Sequence, residues 1–205
     1  MIPFEVAPAS FGILALIVAV SGLGLLGMPR IIERNLLRPY RVVHQREYGP
    51  IVTCGFVHGN FAHLFFNSLT LYFFGPALEA TIGTPRFVAL YLIGLVLSSL
   101  GTVYKHRNNP DYASLGASGA ILSVLFAYIV YYPLNKIYLY FAIGIPAVLF
   151  AFGYLAYSWW ASKNMRGRVN HDAHLDGAFT GLIFVGLTDF DAWSRAFRMV
   201  TSAFG

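Results

Sequence analysis

Charge is what this sequence has least of. Asp, Glu, Lys and Arg make up only 11% of its 205 residues, while 57% are hydrophobic and the mean hydropathy is +0.62. Soluble domains carry about 25% charged residues, so this scarcity excludes an ordinary water-soluble domain and points to the membrane class. Cysteine is nearly absent as well. Cys54 stands alone, which rules out an internal disulfide framework. There is no internal repeat, no low-complexity tract and no HExxH, the pattern that would give a zinc protease its paired ligands and glutamate base. The formal charge of +5 is scattered over short gaps between apolar segments. That distribution suits lipid headgroups and not a nucleic-acid groove.

What is present is a series of six apolar segments of spanning or near-spanning length. They run at about 11–28, 61–80, 87–104, 114–132, 137–160 and 173–188. The first segment is preceded by Glu5 and by no Lys or Arg, so it reads as a retained helix and not as a cleaved leader. Between the first two segments, Arg30, Arg34, Arg38, Arg41 and Arg46 alternate with apolar and aromatic residues, a composition suited to the interface plane. Pro133 closes the fourth segment, and Pro146 predicts a kink inside the fifth. Under this six-span reading, ten of the fourteen Lys and Arg lie in the odd-numbered loops. The positive-inside rule places those loops in the cytoplasm, although half of that excess belongs to the arginine stretch.

Ionisable and polar groups inside apolar spans are costly and mark function by default. His63 and Asn67, four residues apart in "HLFFN", leave one helix face together. Ser118 opens the fourth segment in "LGASGA", and His174 opens the sixth in "HDAHLDGAFTG". Segments two, four and six start on the same side of the membrane, so these groups share one depth. Gly116 and Gly119 beside Ser118, and the Gly177–Gly181 GxxxG after His174, permit close helix approach.

The set meets the needs of acyl transfer: Ser118 as nucleophile, His174 as base, and Asn67 with His63 as oxyanion donors. Taken singly, each residue also has a structural explanation. The serine can bond its own helix carbonyl, His63 and Asn67 can join two helices, and His171 can cap a helix or face water. Glu79 and Arg86 read as ties at helix ends. Two other functions compete, a metal site built from His58, His63, His171 and His174, and a membrane protein that binds helices without cleaving them.

In order and spacing, "HGNFAHLFFN" with His58, His63 and Asn67, "FFGPALEATIG" with Glu79, "GASG" and "HLDGAFTG" resemble the rhomboid intramembrane serine proteases over about residues 46–184. The resemblance implies an all-α bundle of six transmembrane helices in a single membrane domain over 1–205, with its catalytic core at about 46–188. It also implies a Ser118–His174 dyad, no cofactor and no metal. Substrates would be transmembrane segments of other membrane proteins, cut at or just below the bilayer surface. The expected residence is a multi-pass position in a bacterial plasma membrane, with the active site opening away from the cytoplasm, against the loop charges. Within the family, a catalytically inactive helix-binding adaptor is the alternative. Three departures stand out. Asp176 follows His174 where a small residue is usual. Leu122 occupies the place of an aromatic that in some members stacks on the histidine. "REY" at Arg46–Tyr48 only loosely matches a Trp-Arg pair.

Overall fold

The computed structural model describes residues 2–139, 142–165 and 169–204. Arg166 and Arg168, two of the loop charges counted above, lie outside the described residues. The chain folds as an all-α membrane protein. Its long helices are α1 (Pro8–Leu26), α5 (Phe61–Ile82), α6 (Thr84–His106), α7 (Ser118–Tyr131), α8 (Ala147–Asn164) and α9 (His171–Thr188). Of these, α1 and α6 are by themselves long and apolar enough to cross a bilayer.

Helix α7 is the centre. Twelve of its fourteen residues, Gly119 to Val130, are buried, with α5, α6, α8 and α9 around it. At 1.5 Å per residue it is about 21 Å long, shorter than the roughly 30 Å hydrocarbon core. Glycine sets its distance from α9. A Cβ on Gly177 would strike the backbone of Gly119, and one on Gly181 would strike the backbone at Ser123. At Gly177 and Gly181 the two helices therefore lie backbone against backbone.

The arginine-rich stretch forms three short helices, α2 (Pro29–Arg34), α3 (Pro39–Gln45) and α4 (Pro50–Thr53), each opening on a proline. Proline suits a first turn, whose N–H is unpaired anyway, and it keeps each new helix from merging with the last. Leu37 and Val42 bury themselves with Cys54 and Val103 of α6, anchoring the stretch. Arg34, Arg38, Arg41 and Arg46, with Glu33 and Glu47, line an open cleft of about 620 Å³. Arg46 there adopts left-handed backbone, φ 59°, a conformation that disfavours side chains with a Cβ.

Glu79 is fully buried at the foot of α5 and accepts from the Ala9 and Ser10 backbone N–H groups, at 3.0 and 2.7 Å, and from the Thr84 hydroxyl. It thereby satisfies the otherwise orphaned N–H groups at the start of α1. Its partners are thus two backbone donors of α1 and one hydroxyl.

The fifth segment differs from the expectation. Instead of one kinked helix over 137–160, the chain forms an antiparallel hairpin, β1 (Lys136–Leu139) with β2 (Ile143–Pro146), and only then enters α8. Pro146 ends the hairpin and caps α8 from outside, so it kinks nothing. A short apolar run rich in Ile and Tyr reads equally as helix or strand. The other addition is α10 (Phe190–Phe204), strongly amphipathic, with Phe190 and Phe197 exposed and Ala192 buried against the core. Asp189 ties its start through Arg195, at 2.8 Å, and the Tyr131 hydroxyl, at 3.2 Å.

Candidate active site

Ser118 is the first residue of α7 because the loop before it cannot be helical. Gly116 has φ 112°, open only to glycine at low cost, and its N–H donates to the Cys54 carbonyl at 2.9 Å. Two further backbone bonds join Ser114 to Leu37, each 2.9 Å. The serine is thus presented from a turn pinned on two sides. The helix predicted from residue 114 begins four residues later for this reason.

His174 lies in the first turn of α9, which Asn170 caps by accepting from the Ala173 N–H at 3.1 Å. Across the α7–α9 contact, His174 Nε2 stands 3.0 Å from Ser118 Oγ. Its other nitrogen, Nδ1, stands 3.0 Å from the hydroxyl of Tyr154 on α8. A hydroxyl at this distance from an imidazole nitrogen can pass its proton directly.

The remaining residues divide. The His63 ring lies directly against Gly116, where it would obstruct any Cβ, so it flanks the turn that carries Ser118. Asn67 is buried one turn further along α5, and its Nδ2 has no acceptor among the described residues. His58 is fully buried, paired through Nδ1 with Ser21 of α1 at 2.9 Å and edge-on to His63 at 4.8 Å between ring centroids. It supports the site and does not touch the serine hydroxyl. His171 neither caps α9 nor faces water: it is buried, with its ring edge-on to His174 at 5.9 Å and to Tyr157 at 5.6 Å. Asp176 leaves α9 toward Gly101 of α6, whose missing side chain makes room for its carboxylate. Among the described residues, no group of three or more His, Cys, Asp or Glu is placed to hold a metal.

Beside the serine lies a small cavity of about 30 Å³, lined by Ser98, Ser99, Thr102, Gly119 and Asn170. That volume and those polar walls suit one water molecule. Tyr154 is the site residue that sequence reasoning missed. Within "AFGYLAYSWW" it looks like one aromatic among several, and only the docking of α8 singles it out.

A family model for the rhomboid domain matches residues 45–189. The chain belongs to the rhomboid family. Three relatives illustrate its breadth. The rhomboid-family protein YdcA of Bacillus subtilis is 33% identical over 101 residues, 48% of this chain and 49% of its own length. The mitochondrial presenilin-associated rhomboid-like protein A of Danio rerio is 31% identical over 153 residues, 71% of this chain and 39% of its own. Rhomboid protease GluP of B. subtilis is 34% identical over 84 residues, 41% of this chain and 16% of its own. This rhomboid therefore spans about half or less of the length of these relatives. Family membership makes it an integral membrane protein of a group that includes serine proteases. Since a mitochondrial protein is among the matches, the expected bacterial plasma membrane is not supported.

Proposed function

We propose that this rhomboid is an intramembrane serine endopeptidase that cleaves transmembrane segments of other membrane proteins. The observation that carries this reading is the 3.0 Å approach of Ser118 Oγ to His174 Nε2, inside a helix bundle of the rhomboid family. In this reading α1, α5, α6, α7, α8 and α9 are six spans of one membrane domain, with the catalytic core at about 46–188.

His174 Nε2 takes the proton of the Ser118 hydroxyl as Oγ attacks the scissile carbonyl carbon. The tetrahedral oxyanion is met by donors from His63, Asn67 and the Ser118 N–H at the positive end of α7. Nε2 returns the proton to the departing amine, the C–N bond breaks, and an acyl-Ser118 ester remains. A water then gives one proton to Nε2 and adds its hydroxyl to the ester carbonyl. The acid leaves, and Oγ recovers its proton. The shortness of α7 supports the setting: a helix of about 21 Å starts its nucleophile below the membrane surface, where water arrives through the protein.

The test is labelling of the detergent-purified protein with a fluorophosphonate, beside Ser118→Ala and His174→Ala. Labelling by wild type alone, with all three proteins folded, is the expected result. Cleavage of a reconstituted transmembrane substrate should follow the same pattern. A folded wild type that neither labels nor cleaves would leave helix binding without hydrolysis as the function.

A further inference from the structure

The geometry points to Tyr154 as the positioning residue of the Ser118–His174 pair, acting from a helix that carries neither partner. The inference rests on the hydrolase reading above. A neutral imidazole has one ring proton for two nitrogens. For Nε2 to accept from Ser118, that proton must sit on Nδ1, and Nδ1–H needs an acceptor. The Tyr154 oxygen, 3.0 Å from Nδ1, is placed to accept from it when the phenol O–H turns away from the ring, toward Ser158 one turn further along α8. With the phenol O–H turned to Nδ1 instead, the ring proton would sit on Nε2, and in that form the ring cannot act as base.

The tyrosine is itself held. Its ring packs between Phe126 of α7, at 5.8 Å, and Phe150 one turn earlier on α8, at 5.6 Å. It also lies 27° from the plane of His174, with centroids 6.5 Å apart. His171 lies edge-on to the imidazole, with centroids 5.9 Å apart. The position one turn after Ser118 holds Leu122, which offers no ring and no hydroxyl. The rings of Tyr154 and His174 therefore meet end to end through the hydroxyl, and the polar contact to His174 comes from α8. Of the two carboxylates on α9, Asp172 pairs with Lys105 of α6 and Asp176 is turned toward Gly101 of α6, so neither is the third member.

This arrangement serves the end that a carboxylate serves in a Ser-His-Asp triad, fixing tautomer and ring plane. It does so with a neutral oxygen, which avoids placing an anion within hydrocarbon. When the serine proton reaches Nε2, Nδ1–H stays in place and its bond to the phenol oxygen becomes charge-assisted. Tyr154 keeps its own proton throughout.

The location of this group also matters. Among the α8 residues only Ala147, Ser158 and Ala161 are buried, and Leu149, Phe152, Trp159 and Trp160 are exposed. The histidine is thus oriented from the most lightly embedded of the six long helices around the site. Any outward movement of α8 takes the Nδ1 acceptor with it.

The test compares wild type with Tyr154→Phe, which keeps the ring and removes the hydroxyl. In ¹⁵N-histidine protein, the Nδ1–H proton signal of His174, assigned by its disappearance in His174→Ala, should move on loss of the hydroxyl. Fluorophosphonate labelling and kcat should fall about tenfold, the scale of one neutral hydrogen bond, while KM and melting temperature hold. Unchanged signal and rate in Tyr154→Phe, with wild type active, would overturn the proposal. If wild type is inert to the probe, the hydrolase reading fails, and the Nδ1 signal still decides whether Tyr154 holds the ring.

Discussion

Asn67 carries a side-chain donor, Nδ2, that finds no acceptor among the described residues although only 8% of the residue reaches the surface. Leaving a buried donor unpaired costs about 1–3 kcal/mol, a cost that becomes useful if the missing acceptor is an oxyanion. Asn67→Ala should therefore lower kcat by on the order of 10²-fold without loss of melting temperature. An unchanged rate in a cleavage assay would remove Asn67 from that role. Glu79 shows the opposite condition. Its carboxylate is buried yet saturated by two backbone donors and a hydroxyl, so it has nothing left for chemistry. The sequence could separate these two residues because one sits four positions from a histidine within an apolar run and the other at a helix end. Tyr154 was not legible, because its significance depends on where α8 docks, and local pattern does not contain that. His171 was misread for the same reason: its neighbours in sequence are polar, and its neighbours in space are rings.

Elements bounded by strong local signals appeared where the sequence placed them. Asn60 caps α5 by accepting from the His63 N–H at 2.8 Å, and Pro85 lies in the first turn of α6. The fifth segment failed because nothing in "KIYLYFAIGIP" distinguishes a hairpin from a helix start, and α10 failed because an amphipathic helix lacks the continuous apolar run that was sought. Where two elements depend on a missing side chain, the dependence can be measured. Gly177→Ala would drive a methyl into the Gly119 backbone, a fixed neighbour that cannot rotate away. Overpacking of this kind costs about 1–3 kcal/mol, and here it also separates α9 from α7. Both thermal stability and fluorophosphonate labelling should fall, whereas Gly153→Ala on α8, where a Cβ meets nothing, should leave both intact. Equal behaviour of the two variants in a melting series would count against the α7–α9 seam as the element that sets the Ser118–His174 distance.

At the scale of the whole molecule, charge is concentrated where the chain meets headgroups. The cleft of about 620 Å³ gathers four of the five arginines of the 30–46 stretch, next to exposed Val43, Tyr48 and Val52. A basic rim beside apolar side chains favours an anionic lipid surface, by about 1 kcal/mol per arginine near the surface. The protein should melt at a higher temperature in phosphatidylglycerol nanodiscs than in phosphatidylcholine ones. Added salt should narrow the gap, and Arg34→Gln combined with Arg38→Gln, two of the four arginines of the cleft, should close about half of it. A gap that survives both changes would show these arginines to be idle. The short central helix has a further consequence for whatever enters. With one end of α7 at the far interface, its length of about 21 Å falls about 9 Å short of a hydrocarbon core of about 30 Å. An extended chain advances about 3.3 Å per residue. Under the proposed hydrolase reading the helix would work as a ruler, selecting a bond about three residues inside the near edge of a substrate's apolar stretch, and it would read distance from that edge in preference to side-chain identity.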